Sequence, residues 1–200
     1  MALDFRVGIV AAAAAVAGIS FVAPRMSVES TELSASGLTY IAQREDYRDS
    51  AYADPVHGTK VPTLGFGSTA GVKMGDKTTP PRALIRLRAD ASETEVALRR
   101  CLGSDIELLQ REWDAYVGLG HNTGAIPVCF NNERTGPSTI KKRLQAKDYA
   151  GACEAILLYD RAGPVNKPSD RCSHPDNRTC RGVWTDRRRL RAMCLGEPMP

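Results

Sequence analysis

The stretch from residue 44 to residue 69 holds two carboxylates and a hydroxyl at regular intervals. Eight residues separate Glu45 from Asp54, and eight more separate Asp54 from Thr63, which opens the sequence TLGFG. Glycoside hydrolysis needs one protonated carboxyl group to donate to the leaving oxygen. It also needs a second acidic or hydrogen-bonding group on the other side of the bond. This segment can supply both groups.

Short elements are expected to position these side chains. Apolar residues at positions 38, 41 and 42 have the spacing of one helix face, and Ser34 or Ser36 can cap the N-terminus of that helix. Glu45 is therefore predicted at the end of a short helix. Prolines and glycines break the following stretch, where residues 51–53 and 60–66 are strand candidates. A small hairpin or a three-stranded sheet is expected there.

Helical patterns dominate the chain after Pro80-Pro81, which is a helix-start signal. The polar residues from Arg161 to Gly182 contain three prolines and two cysteines and are predicted to form a looped insertion. The expected fold class is α+β, mostly helical, with a small β-sheet near the start of the domain. The predicted helices span residues 83–102, 105–119, 138–146, 148–159 and 185–195.

The net charge of the protein limits the classes of molecule that it is expected to bind. The 200 residues include 27 Lys and Arg against 23 Asp and Glu, which gives a net charge of +4. The chain lacks the long basic tract of a nucleic-acid platform, so a nucleic-acid partner is not predicted. An anionic polymer such as a cell wall fits this charge, and a solubilising surface charge fits it equally well. The arginines at 187, 188, 189 and 191 share one short helix and are expected to contact their own domain or the wall.

Six cysteines lie in the second half of the chain. Three disulfides are the simplest account in an oxidising compartment, although six cysteines permit fifteen connectivities. Cys172 and Cys180 flank a polar turn and are predicted to pair locally, and Cys153 with Cys194 is an attractive pair because both lie on predicted helices. Zinc held by Cys172, His174 and Cys180 is the alternative, but a fourth ligand at the usual spacing is missing. We therefore predict no metal and no cofactor.

The N-terminal residues suggest export. Residues 7–24 form an 18-residue run without a charge, in which Ala and Gly dominate. The run is long enough for a membrane helix, but its transfer into lipid should be marginal. An uncleaved anchor is favoured over a cleaved signal peptide, because a cut after Ala15-Val16-Ala17 would divide the apolar run. The predicted plan is an anchor or signal segment over 1–26, a polar linker over 27–37 and one domain over 38–200.

Other catalytic signatures fail or do not occur. Residues 65–70 read GFGSTA and satisfy G-x-G-x-x-A, but more glycines and Pro80-Pro81 follow where a dinucleotide site needs a helix. The G-x-S-x-G, P-loop and H-E-x-x-H patterns do not occur. By spacing alone, the charges around Glu45 are more typical of a solvated helix end than of a catalytic site. A catalytic interpretation needs support from elsewhere in the chain.

An ordered set of motifs gives that support. After Glu45, Asp54 and TLGFG, the chain continues with WDAYV at 113–117, NTG at 122–124, STI at 138–140, GVW at 182–184 and RR at 187–188. In this order, over about residues 38–195, the motifs resemble the phage-type lysozymes of glycoside hydrolase family 24. The Ala-rich run resembles the signal-arrest-release segment of some endolysins in that family. The resemblance implies a lysozyme-like fold and cleavage of the β-1,4 bond between N-acetylmuramic acid and N-acetylglucosamine in peptidoglycan, with lysis of the host bacterium.

The resemblance also implies a role for each site residue. Glu45 matches the general acid, Asp54 the second acidic position, and Thr63 the hydroxyl that helps to place the attacking water in an inverting reaction. Eight residues separate Asp54 from Thr63 where the family usually has five, so the hairpin is expected to be enlarged. Thr59 is the alternative to Thr63, but only Thr63 precedes the Gly-x-Gly. Ser68 stands where a histidine is common in the family.

Two other functions fit the same residues. A lytic transglycosylase acts on the same bond with one catalytic glutamate, and a tethered cell-wall-binding protein would carry the carboxylates only as a solvated face. The expected partners are peptidoglycan glycan strands and, through residues 7–24, the inner membrane. We expect a monomer that passes from the host inner membrane to the periplasm. Residues 1–100 contain no cysteine, so we expect control by membrane topology, with the helix of Glu45 misplaced while the anchor is in the bilayer.

Overall fold

The computed structural model describes residues 23–54, 58–131 and 135–200, apart from the side chains of residues 54, 58 and 59. The predicted anchor at 7–24 lies almost wholly outside these residues. Within them, every helix is too short or too polar to cross a membrane. The described chain is α+β and mostly helical, as the sequence predicts.

Seven α-helices and four short strands make up the regular structure of the described residues. The helices are α1 (Ala35–Arg44), α2 (Pro80–Leu102), α3 (Gln110–Thr123), α4 (Ala125–Cys129), α5 (Thr139–Gln145), α6 (Tyr149–Glu154) and α7 (Arg181–Leu195). The strands are β1 (Met26–Ser27), β2 (Arg48–Asp54), β3 (Gly58–Gly65) and β4 (Glu107–Leu108). Single 3-10 turns cover Ala155–Leu158 and Pro168–Asp170.

Helix α1 begins where the sequence provides a cap. The hydroxyl of Ser34 accepts a hydrogen bond from the backbone N–H of Gly37, which satisfies one of the free donors at the helix start. Ile41 lies on the buried face of the helix. The helix ends at Arg44, and the N–H of Glu45 still donates to the carbonyl of Ile41 while its backbone turns to an extended conformation. The prediction that Glu45 terminates a short helix is confirmed.

Strands β2 and β3 form an antiparallel hairpin directly after α1. Arg48 pairs with Gly65 and Tyr52 pairs with Thr63, with irregularities in the register on both sides of Tyr52. The hairpin covers the predicted segment 51–53 and all of the predicted segment 60–66 except Phe66. A third strand does not join it among the described residues, where the hairpin has isolated bridges from Ser50 to Lys77 and from Leu64 to Ser68.

Helix α3 forms the centre of the core. Trp113 and Tyr116 are fully buried, and α1, α2, α4 and α7 pack around this helix. The helix begins at Gln110 rather than at residue 105 as predicted. The preceding residues are taken by strand β4, and the Glu112 carboxylate accepts from the N–H of Leu109 at 2.9 Å, which starts the helix there.

The segment predicted as a polar linker, residues 27–37, packs against the domain. Ser27 pairs with Glu107 in the β1–β4 ladder, and Val28 is fully buried. Burying one such apolar side chain stabilises the fold by about 1.5–3 kcal/mol. The N–H of Leu33 donates a hydrogen bond to the buried carboxylate of Glu95 on α2. The hydroxyl of Thr31 donates to the carbonyl of Ser27. The Ser34 hydroxyl also donates to the Asp114 carboxylate on α3 at 2.5 Å, so polar side chains whose composition is typical of a solvated linker bond to the domain instead.

The six cysteines form three disulfides. The predicted pairs Cys172–Cys180 and Cys153–Cys194 are present, and the third bond joins Cys101 to Cys129. Cys153–Cys194 ties α6 to α7, and Cys101–Cys129 ties the end of α2 to α4. Because Cys172 and Cys180 bind each other, their sulfurs are not available as the zinc ligands of the alternative interpretation.

Candidate active site

Glu45 lies at the junction between α1 and the hairpin. Its backbone is extended (φ −91°, ψ 133°), so the side chain leaves the helix axis where the chain turns toward β2. The side chain is 30% exposed, so a substrate can reach the carboxylate. Its position depends on the cap at Ser34, which fixes where α1 begins, and on the turn that follows α1.

A glycine turn of the hairpin closes over this carboxylate. Leu64 and Ser68 exchange two backbone hydrogen bonds, of 2.9 and 3.0 Å, around Gly67. Gly67 has φ +85°, and a β-carbon at this position would lie 3.5 Å from Oε2 of Glu45. The Ser68 hydroxyl donates to Asp90 on α2 at 2.6 Å. The Gly-x-Gly sequence therefore brings the hairpin backbone beside Glu45, and Ser68 ties the turn to α2.

An ionic cluster built around the buried Asp186 reaches Glu45 through Arg44. Asp186 on α7 is only 5% exposed, and its Oδ1 lies 3.0 Å from Nε of Arg44 and accepts a 2.8 Å bond from the Tyr40 hydroxyl. Burial, reinforced by the neighbouring Asp186 carboxylate, raises the pKa of Tyr40 well above its usual value, so the hydroxyl remains a donor. The other end of Arg44 lies 3.9 Å from Glu45. The cluster thus links α7 to the last turn of α1.

Arg187 extends the cluster to α3. Its guanidinium bonds to Asp186, to the side chain of Asn122 and to the backbone carbonyl of Tyr159. Arg187 is 2% exposed, so this arginine of the basic run contacts its own domain, as predicted. Farther along the same helix, Arg191 bonds to Glu154.

His121, the last residue before Asn122, is a further titratable group near the site. Burial lowers its pKa, while the charges of Glu45 and Asp90 act in the opposite direction and that of Arg44 adds to the lowering. The charges that act on the pKa of His121 include those of Glu45 and Arg44, so this histidine lies near the site.

The lowered pKa of His121 predicts a pH dependence of stability. The unfolded chain takes up a proton at this histidine near its ordinary pKa of 6.5, and the folded chain does so only at lower pH. The stability contributed by the neutral ring is therefore complete above pH 6.5 and is lost as the pH falls through the folded-state pKa. In urea unfolding at pH 8 and pH 5, His121→Gln should lose less stability than the wild type on acidification. The prediction is wrong if the free energies of unfolding of the wild type and the variant differ by the same amount at pH 8 and at pH 5.

The structure places the two other predicted site residues on the hairpin. Thr63 is 4% exposed, lies across from Tyr52, and its hydroxyl donates to the carbonyl of Val61 at 3.4 Å. Asp54 is the last residue of β2, and its backbone pairs with Gly58. The side chains of Asp54 and Thr59 lie outside the described part of the structure. The roles of Asp54 and Thr63 therefore stay predictions.

Two site residues carried no signal in the sequence. Asp186 stands at the head of an arginine run and is indistinguishable there from a surface carboxylate. Asp90 is one of several charges on a long amphipathic helix. Arg44 is, in the sequence, one of the charges of a helix end. Asp186, Asp90 and Arg44 each bond to a side chain on another segment of the chain. Only folding brings these partners together, so the sequence does not show them.

Known proteins resemble this chain in sequence and in structure. Residues 42–169 match the family of domains described as phage lysozyme. The endolysin of Salmonella phage P22 is 28% identical over 137 residues, which cover 66% of this chain and 86% of the relative. The SAR-endolysin of Pseudomonas phage phiKMV is 30% identical over 127 residues, 64% of this chain and 71% of the relative. A solved endolysin structure from Escherichia coli O157:H7 phage FAHEc1 has a TM-score of 0.65 and 26% identity, covering 86% of this chain and 98% of that one.

A glutamate at the end of the first helix, beside a glycine turn of a small hairpin and in front of a helical core, defines a lysozyme-like protein. The match to the family spans more than half of the chain, and the chain therefore belongs to the phage lysozyme family. It is a glycoside hydrolase of the muramidase type. The fold, family and enzyme class predicted from the ordered motifs are confirmed.

Proposed function

We propose that the protein is an endolysin that cleaves the β-1,4 bond between N-acetylmuramic acid and N-acetylglucosamine in peptidoglycan, with Glu45 as the general acid. The observation that carries this proposal is the position of Glu45. Its carboxyl group is reachable from solvent, lies beside the Gly67 turn and is 3.9 Å from the Arg44 guanidinium. The endolysin relatives agree with this substrate.

The proposed reaction is an inversion at the anomeric carbon. Glu45 gives its proton to the glycosidic oxygen as the bond from that oxygen to the anomeric carbon breaks. A water molecule attacks the opposite face of the sugar ring, and its proton passes to Asp54, which also stabilises the positive charge that develops on the ring. The hydroxyl of Thr63 helps to orient the water. The products are a free reducing N-acetylmuramic acid end and a new N-acetylglucosamine end.

Mass spectrometry of the released muropeptides tests the reaction. The wild type should release reducing N-acetylmuramic acid ends, whereas a lytic transglycosylase would release 1,6-anhydro ends. Asp54→Asn should lower the rate by about 10²-fold or more, as expected for a group that acts in proton transfer. Thr63→Ala should lower the rate more than Thr59→Ala, its matched control on the same strand. Anhydro products, or an Asp54→Asn variant of full activity, would contradict the proposed mechanism.

We also propose that residues 7–24 hold the protein in the host inner membrane before it is released to the periplasm. The run is uncharged over 18 residues but weakly apolar, and the phiKMV relative is named a SAR-endolysin. The three disulfides suit an oxidising compartment such as the periplasm. The domain follows the run closely, since Arg25 already stacks on the Tyr149 ring and pairs with Glu112. We propose that the enzyme acts as a monomer.

A change in the apolarity of the anchor tests this proposal. Ala11→Leu with Ala13→Leu should retain more protein in the membrane fraction and delay lysis, because each leucine favours the bilayer by about 0.5 kcal/mol. Ala11→Ser with Ala13→Ser, changed at the same positions, should release the protein earlier. Lysis times that are the same for both pairs of substitutions would count against release from an anchor.

A further inference from the structure

A groove of about 810 Å³ lies between the second half of α1 and the first half of α7, with Met199 and Pro200 along one side. The charged side chains among its lining residues are Arg44, Asp186 and Arg189. Arg44 and Asp186 pair with each other, and the Nε of Arg189 donates to the carbonyl of Pro200. The rest of the lining side chains are neutral. We call this opening the α1–α7 groove.

Arg44 joins the α1–α7 groove to the candidate active site. Its Nε lies 3.0 Å from Asp186, and its Nη2 lies 3.9 Å from Oε1 of Glu45. The Gly67 turn lies at the other oxygen, because a β-carbon at Gly67 would be 3.5 Å from Oε2 of Glu45. The groove therefore begins one guanidinium away from the catalytic carboxyl group. It begins at a different oxygen from the one that the hairpin approaches.

The direction of the proposed reaction assigns one side of the scissile bond to this groove. Asp54 and Thr63, which act on the water at the anomeric carbon, both lie on the hairpin. Glu45 gives its proton to the leaving oxygen on the opposite side of that carbon. The attacked sugar then lies against the hairpin, and the leaving sugar continues away from it. The α1–α7 groove starts beside Glu45, and its described lining includes no residue of the hairpin.

Gln43 and Thr185 give the groove the polar groups that a sugar needs. Gln43 is exposed on α1, and Thr185 is half-buried on α7, so the two side chains come from opposite walls. Neither side chain forms a hydrogen bond to another described residue. An amide and a hydroxyl each donate and accept hydrogen bonds, as do the hydroxyl and acetamido groups of an amino sugar. A few such neutral groups within a groove fix the orientation of an uncharged ligand.

We propose that the α1–α7 groove binds the glycan strand on the leaving-group side of the scissile bond, with Gln43 and Thr185 as substrate-binding residues. The inference rests on the proposed function, since it takes Glu45 as the acid that protonates the leaving oxygen. The leaving sugar is the one that carries the protonated oxygen, so its position decides how well that oxygen is held next to Glu45. Binding in this groove therefore selects which bond of a strand is cut.

The position of the cut in a glycan strand tests the proposal. The substrate is an un-cross-linked strand of one defined length, with its peptide stems in place and its original reducing end reduced. Mass spectrometry then gives the length of the fragment that keeps the reduced end, which is the leaving fragment. Gln43→Ala with Thr185→Ala should lower kcat/KM about tenfold, as expected for the loss of two hydrogen bonds. The cuts should also move toward the reduced end, because longer leaving fragments are no longer favoured.

A second variant fills the groove instead of removing its polar groups. Gly182 lines the groove, and a β-carbon at this position would meet no atom within 4 Å, so Gly182→Phe is compatible with the fold. It should give the same shift of the cuts toward the reduced end. Arg188→Phe is the matched control, because Arg188 is exposed on the same helix but lines a different opening. The control should cut the strand at the same bonds as the wild type.

The outcomes separate this inference from the proposed function. A lower kcat/KM with the cuts at unchanged bonds would overturn it, because a general loss of activity does not move the cut. Unchanged kinetics of both groove variants, or an equal shift in Arg188→Phe, would overturn it as well. Failure of the wild type to cleave the strand would instead overturn the muramidase assignment. Thermal unfolding at the wild-type temperature confirms that each variant is folded.

Discussion

Glu45→Gln is expected to lower the rate of peptidoglycan cleavage by about 10²–10⁴-fold, which is the usual contribution of a general acid. Glutamine has the same shape and can occupy the same place beside Gly67, but it cannot give a proton to the glycosidic oxygen. The loss should appear in kcat rather than in KM, because proton transfer occurs only as the bond breaks. The measurement is the initial rate on purified peptidoglycan at several substrate concentrations.

The fold should survive this substitution. Glu45 is partly exposed and its contact with Arg44 is 3.9 Å, so the free energy of unfolding should change by less than about 1 kcal/mol. Asp46→Asn is the matched control, because it removes an exposed carboxylate one residue farther along the chain. A control that loses as much activity as Glu45→Gln would point to the local negative charge rather than to proton donation. Full activity of Glu45→Gln would remove Glu45 from the mechanism.

Local signals explain why the position of Glu45 could be predicted. A serine cap, apolar residues at helical spacing and a proline- and glycine-rich stretch act within about ten residues of one another, so the end of α1 and the hairpin follow from the sequence alone. The glycine turn is local in the same sense. Gly67 has φ +85°, a conformation that favours glycine, so the Gly-x-Gly motif itself predicts the turn.

Long-range contacts explain the predictions that failed or were incomplete. Residues 26–27 and 107–108 pair as strands across about 80 positions of sequence, and neither partner has a strand signal of its own. The pairing displaced the start of α3 from residue 105 to Gln110 and placed the polar segment after residue 26 against the core. A two-residue strand has too little periodicity to be seen, and tertiary packing overrides the local helical pattern.

Asp186 is the clearest case, and it gives the largest expected effect on stability. It accepts bonds from Tyr40 and Arg44 on α1 and from Arg187 beside it, and it is 5% exposed. Asp186→Asn removes the charge that balances the buried Arg187. Loss of one partner of a buried ion pair costs about 3–5 kcal/mol, because the remaining charge stays desolvated. Chemical denaturation at pH 7 should show a decrease of this size.

The same substitution separates the structural role of Asp186 from its role at the site. Asp176→Asn is the control, since Asp176 is exposed in the insertion and its removal should change stability by less than about 0.5 kcal/mol. At a temperature where Asp186→Asn remains folded, its kcat should also fall, because Arg44 is no longer held next to Glu45. A loss of stability with unchanged kcat would mean that the cluster only fastens α7 to α1. In that case the Gly67 turn, rather than Arg44, would set the position of the catalytic carboxyl group.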